Sequence, residues 1–169
     1  GEIVVLAVKG TAAESVIDQA GPANLAGKTV IDSTNPISDE PPNNGVIRYF
    51  TSANESLMER LQTKAPQAKF VKAFNSVGNA FMVNPPFKPT PAMFICGNDA
   101  GAKQEASDIL TKVGWLAVDI GGGEVPVRRT VSFKRGELVR AACADGTFVV
   151  KGQGDERDWV ALPKLEAPE

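Results

Sequence analysis

The pattern of this chain predicts an α/β fold with a parallel sheet, followed by a small antiparallel β-rich tail. Three observations carry that expectation. Short apolar runs at residues 3–8, 28–33, 69–74, 92–96 and 115–120 are separated by segments that include helical periodicity. Strands alternating with helices build parallel sheets. The runs at 28–33 and 69–74 lead into Thr34-Asn35-Pro36 and Asn75-Ser76, as buried strands do where they open into loops. After Gly121-Gly-Gly123 the helical pattern stops and short β-patterned runs take over.

Taken in order, residues 3–8 form the first strand. Thr11 and Glu14 have capping-box spacing, and Ala13, Val16, Ile17 and Ala20 recur as one helix face until Gly21-Pro22. The second strand is 28–33. Residues 34–51 hold three prolines and Asn43-Asn44-Gly45, a composition that reads as a long loop, and loops of this length are usually functional or disordered. Ser52 and Glu55 repeat the capping-box spacing before the stripe Leu57, Met58, Leu61, and that helix stops near Pro66. The third strand is 69–74, and the proline-rich segment 84–91 leads to the fourth at 92–96. Asn98 or Asp99 caps a helix bearing Ala102, Ala106, Ile109, Leu110 and Val113. Gly114 ends it before the fifth strand, 115–120. Runs at 125–133, 138–143, 147–151 and 158–162 follow, with Asp145-Gly146 as a hairpin signal. The expected division is an α/β domain over 1–122 and a β-patterned tail over 123–169.

Composition narrows the function. The chain has 169 residues, 43% hydrophobic, with a net charge of -2. That charge supplies no field for nucleic acid or an anionic membrane. No apolar run approaches the ~20 residues of a membrane helix, and no secretory signal pattern is visible. Two cysteines, Cys96 and Cys143, are too few for a disulfide scaffold and suit a reducing cytoplasm. With no histidine, a Ser-His-Asp triad and histidine metal sites are excluded within this sequence, and no metal site is expected.

Four motifs in order carry a resemblance: Leu6-Ala-Val-Lys-Gly10, Asp32-Ser-Thr-Asn-Pro-Ile37, Val71-Lys-Ala-Phe-Asn-Ser-Val77 and Phe94-Ile-Cys-Gly-Asn-Asp99. Over residues 1–121 the chain resembles NADP oxidoreductases of the deazaflavin (coenzyme factor-420) dependent type. The resemblance implies a Rossmann-like sheet, NADP as cofactor, and hydride transfer to a deazaflavin or another small acceptor. It also implies a sheet lacking its first half, because the family's glycine-rich fingerprint precedes the equivalent of Ile3. A β-patterned tail stands where the family continues into a helix.

Site candidates follow. The resemblance lays Val8, Lys9 and Gly10 along the nicotinamide ribose, with Gly10 permitting close approach of a ligand; an ordinary strand-to-helix turn is the plain alternative. Asn35 offers a donor and an acceptor to the nicotinamide amide or ribose, and Pro36 fixes it in extended geometry; a strand-ending Asx turn is the alternative. Asn75 and Ser76 are candidates for the acceptor side, and Phe74 reads as core. Lys72, inside an apolar strand, either snorkels at an edge or pairs with a carboxylate. Cys96 reads as a buried thiol. Gly121-Gly-Gly-Glu124 is not a phosphate loop, since no helix pattern follows it. No catalytic acid or base is identified, and a deazaflavin acceptor requires none.

Two readings of the chain remain. One is an NADP-dependent oxidoreductase present as an incomplete module. The other is a non-catalytic binding or assembly module whose β tail contacts a partner. The apolar first strand, Ile3-Val-Val-Leu-Ala-Val8, is expected to form an open sheet edge and to favour self-association.

Overall fold

The computed structural model describes residues 1–52 and 55–122, together with the backbone of two strands, Val139–Cys143 and Gly146–Val150. The strands β1 (Ile3–Leu6), β2 (Thr29–Asp32) and β3 (Lys69–Lys72) pair in parallel in that order. Ile3 lies opposite Thr29, and Thr29 opposite Lys69. The strands β4 (Ala92–Ile95) and β5 (Leu116–Asp119) form a second parallel pair. The two groups meet at an antiparallel bridge, where the Lys72 N–H donates to the Cys96 carbonyl at 2.8 Å. Chain direction therefore reverses between β3 and β4. Gly97 follows immediately and lets the chains approach: a Cβ there would stand 2.5 Å from the Phe70 carbonyl oxygen.

Alternation along β2 and β3 divides the core. Val30 and Phe70 join Leu6, Ala13, Ile17, Leu57 and Leu61 on one face. Ile31 and Val71 join Met93, Ile95, Ala102, Ala106 and Leu110 on the other. Side chains one residue apart in a strand point to opposite faces. Both faces are covered, so all of β2 is buried. The helices α1 (Gly10–Ala20) and α2 (Leu57–Lys64) cover the first face, and α3 (Ala100–Lys112) covers the second.

Helix starts differ from the sequence pattern in two places. The first helix begins at Gly10, with Lys9 as its N-cap and no side-chain cap bond. The Thr11–Glu14 box therefore falls inside the helix, and Glu14 instead approaches Arg60 at 3.5 Å. The second helix uses Ser56 and Glu59 as its capping box rather than Ser52 and Glu55. Starting at Leu57 places Leu57, Met58 and Leu61 together on the buried face. Asp99 caps α3, accepting from the Ala102 N–H at 2.8 Å. Gly114, at φ 90°, turns the chain toward β5.

The segment read as a long loop contains a hairpin finger. Ile37 bridges Tyr49 and Asn43 bridges Val46. The Ser38 N–H donates to Arg48 at 2.8 Å, and the Phe50 N–H to Pro36 at 2.9 Å. At its tip Asn44 and Gly45 both take positive φ, 51° and 79°. Those signs define the type I′ turn that joins twisted antiparallel strands, for which Asn-Gly is the preferred pair.

In the tail, the strands β6 (Val139–Cys143) and β7 (Gly146–Val150) pair antiparallel. The expected strands at 125–133 and 158–162 lie outside the described residues. So does the Asp145 half of the hairpin signal. Among the described residues no helix is long and apolar enough to cross a membrane.

Candidate functional site

The C-terminal ends of β1, β2 and β3 open side by side, and the residues after them form one rim. The Ser33 N–H and Oγ both donate to the Leu6 carbonyl, at 3.2 and 3.0 Å, tying the first two strand ends together. Carboxyl ends of parallel strands are where open α/β sheets bind ligands.

Three of the sequence candidates converge here. The Asn35 Nδ2 donates to the Asn75 carbonyl at 2.7 Å, and the Asn75 Nδ2 lies 3.3 Å from Asn35 Oδ1. Gly10 is buried against the same turn, where a Cβ would sit 1.9 Å from the Asn35 carbonyl oxygen. The close approach that Gly10 permits is thus made by backbone, not left open for a ligand. Pro36 accepts from Phe50 and closes the base of the finger.

The other candidates are less drawn together. Val8 is exposed. Lys9 reaches Asp39 on the finger at 3.5 Å, with both side chains well exposed; such a pair adds little stability. Ser76 is exposed and its Oγ lies 3.7 Å from the Met93 sulfur. Phe74 is half-buried against the second core cluster and takes φ 63°. A bulky residue in the left-handed region is strained, and such strain gathers at functional sites.

Beneath the rim lies a network that no sequence motif announces. Lys72 is buried and Asp32 wholly so. The Lys72 ammonium donates to Asp32 Oδ2 at 2.9 Å and to the Thr34 carbonyl. Asp32 Oδ1 accepts from both the Thr34 N–H, at 2.9 Å, and the Thr34 hydroxyl, at 2.7 Å. Of the two sequence readings of Lys72, carboxylate pairing is the one realised. The available signal was a charge inside each of two apolar runs; the pairing itself spans 40 residues.

A second ionic group braces the finger. Arg60 pairs with Glu55 and Glu14 and lies over the Phe50 ring, 5.7 Å from its centroid. The hydrogen bond to Arg60 holds the Glu55 carboxyl below its usual range, and Glu55 in turn raises the Arg60 guanidinium. Elsewhere, a shallow hollow of about 510 Å³ lies at the start of β3. The charges on its wall, Lys69 and Asp99, pair with each other at 3.3 Å, so it offers a ligand no net charge.

A parallel sheet with helices on both faces and polar residues gathered at its strand ends defines a Rossmann-like α/β fold. No family model matches the chain. It is similar to the crystal structure of a candidate F420-dependent NADP-reductase from Arthrobacter sp. FB24, at 33% identity and a TM-score of 0.66. The match covers 72% of this chain and 55% of that one. It is also similar to a hypothetical protein from Sinorhizobium meliloti, at 25% identity and a TM-score of 0.61, covering 72% of this chain and 57% of that one. Over the matched part the chain resembles NADP oxidoreductases of the deazaflavin-dependent type. It spans little more than half the length of these relatives.

Proposed function

We propose that this chain supplies the nicotinamide side of an NADP-dependent oxidoreductase that passes hydride between NADPH and a deazaflavin or another small acceptor. The observation that carries this reading is the convergence of Asn35, Asn75 and the backbone at Gly10 on one rim, in a chain with this resemblance. The residues fit that end of the cofactor. Two carboxamides and the peptide groups beside them match a nicotinamide amide and a ribose in donors and acceptors. They do not supply a phosphate grip, since Gly-x-Gly-x-x-Gly occurs nowhere in the sequence. Weak NADPH affinity of the chain alone follows.

When bound, NADP supplies the hydride itself. The protein's part is orientation. Asn35 and Pro36 hold the ring edge, Val8 and Lys9 line the ribose with Gly10 packed behind the Asn35 turn, and Asn75 and Ser76 face the acceptor. The finger bearing Ile37, Val46, Ile47 and Tyr49, all exposed, shields the reacting face from water. The division at residue 122, with the tail as a separate unit, belongs to the same proposal. So does a cytoplasmic location, which suits the buried thiol of Cys96.

The test uses NADPH deuterated at the transferring carbon, oxidised deazaflavin and the chain, with mass spectrometry of the reduced acceptor. Deuterium should appear in the acceptor above the protein-free background. Asn35→Ala should lower that transfer about tenfold or more, as expected when a polar partner worth ~1–3 kcal/mol is removed. Asn35 and Asn75 already satisfy each other, a closed arrangement that also suits a non-catalytic module docking a partner through the tail. Background-level transfer at saturating NADPH would favour that second reading.

A further inference from the structure

Buried ion pairs are a poor way to hold two strands together. Apolar side chains of similar volume in the same register stabilise as well or better, because neither charge is then removed from water. Yet β2 and β3 end in such a pair, with Asp32 directly opposite Lys72 and both buried. The pair does something that apolar residues cannot. It grips one residue through the peptide groups on either side of it: Asp32 Oδ1 accepts the Thr34 N–H and hydroxyl, while Lys72 donates to the Thr34 carbonyl. That carbonyl belongs to the peptide leading into Asn35. Its orientation therefore sets where the Asn35 carboxamide emerges, and Asn35 in turn holds the Asn75 carbonyl at 2.7 Å. On the opposite side the strained φ of 63° at Phe74 presents Asn75 to this bond. Both halves of the rim are thus fixed from below.

We infer that Lys72 and Asp32 are positioning residues, an ionic clamp that fixes the Thr34–Asn35 turn in the geometry that receives the nicotinamide end of NADP. The role at the cofactor rests on the function proposed above; the clamp on the turn does not.

Amide hydrogen exchange on the unaltered chain is the first measurement. The Thr34 N–H should exchange slowly, like its buried neighbours in β2, and exchange at the rate of an open loop overturns the clamp without any variant. The second compares Lys72→Met with the double variant Asp32→Leu/Lys72→Met. The single change leaves a buried carboxylate unpaired and is expected to lower the melting temperature sharply. The double change removes both charges but leaves the buried Thr34 groups without their partners, so it should melt above the single variant and below the unaltered chain. In that folded double variant, Thr34 exchange should accelerate at least tenfold and the Asn35 side-chain amide signals should move to solvent-like positions. A double variant that keeps the Thr34 protection and the Asn35 signals overturns the proposal. Loss of the turn with NADPH affinity unchanged would retain the clamp and reject the nicotinamide site. Loss of both, with affinity down at least tenfold, supports the two together.

Discussion

Gly10 sits where two local energies oppose each other. As the first residue of α1 it would gain up to ~1 kcal/mol of helix propensity on replacement by alanine. The added Cβ would fall 1.9 Å from the Asn35 carbonyl oxygen and 2.8 Å from its carbon. Backbone atoms cannot swing aside as a flexible side chain does, so overpacking of about 1–3 kcal/mol outweighs propensity. Gly10→Ala should therefore be less stable in urea unfolding; equal or higher stability would mean that the β1–α1 turn and the Asn35 turn are not in contact. At this scale the sequence shows which residues follow strand ends, and so Gly10, Asn35 and Asn75 were visible in it. It does not show what each one meets. Gly10 reads as room for a ligand and proves to be room for a carbonyl. Lys72 offers two readings until β2 and β3 are set in register, and the part played by Asp32 and Thr34 follows only from that register.

At the scale of elements, helix bodies follow from their apolar stripes, but their first residues do not. Thr11/Glu14, Ser52/Glu55 and Ser56/Glu59 all have capping-box spacing, and burial of Leu57 and Met58 decides for the last. The finger shows the converse: Asn44-Gly45 is a strong hairpin signal, masked by the prolines and polar residues around it. The cap of α3 gives a pH prediction. The Ala102 N–H, and then Lys69, hold the Asp99 carboxyl below its usual range. A carboxyl lowered on folding contributes stability above its unfolded-state value and loses it as pH falls through the folded one. Glu55 is lowered as well, chiefly by Arg60, and adds to the same acid-side loss. Thermal melts should thus fall from mildly acidic pH downward. Asp99→Asn keeps a capping oxygen but cannot titrate, so it should melt near the unaltered chain at neutral pH and with a shallower acid slope. An unchanged slope would remove Asp99 from the acid response.

For the whole molecule, the open question is how the sheet ends. Among the described residues β1 pairs only with β2, and Ile3 and Val5 are 40% and 58% exposed. Such an edge is a template for another strand. Light scattering across a concentration series should show mass rising above the monomer, and Val5→Lys should suppress the rise. A monomer at every concentration would mean that the edge is covered within the chain. The parallel, two-face-covered architecture was readable from strand–helix alternation. The reversal between β3 and β4 was not, because an apolar run carries no direction. The most direct test of the rim as a nicotinamide site is a ¹H–¹⁵N NMR titration of the chain with NADPH. Binding should be weak, with Kd near ~1 mM (about 4 kcal/mol). The shifts should concentrate at Gly10, Thr34, Asn35 and Asn75. Shifts clustered instead around Lys69 and Asp99, or none at saturating NADPH, would contradict the site.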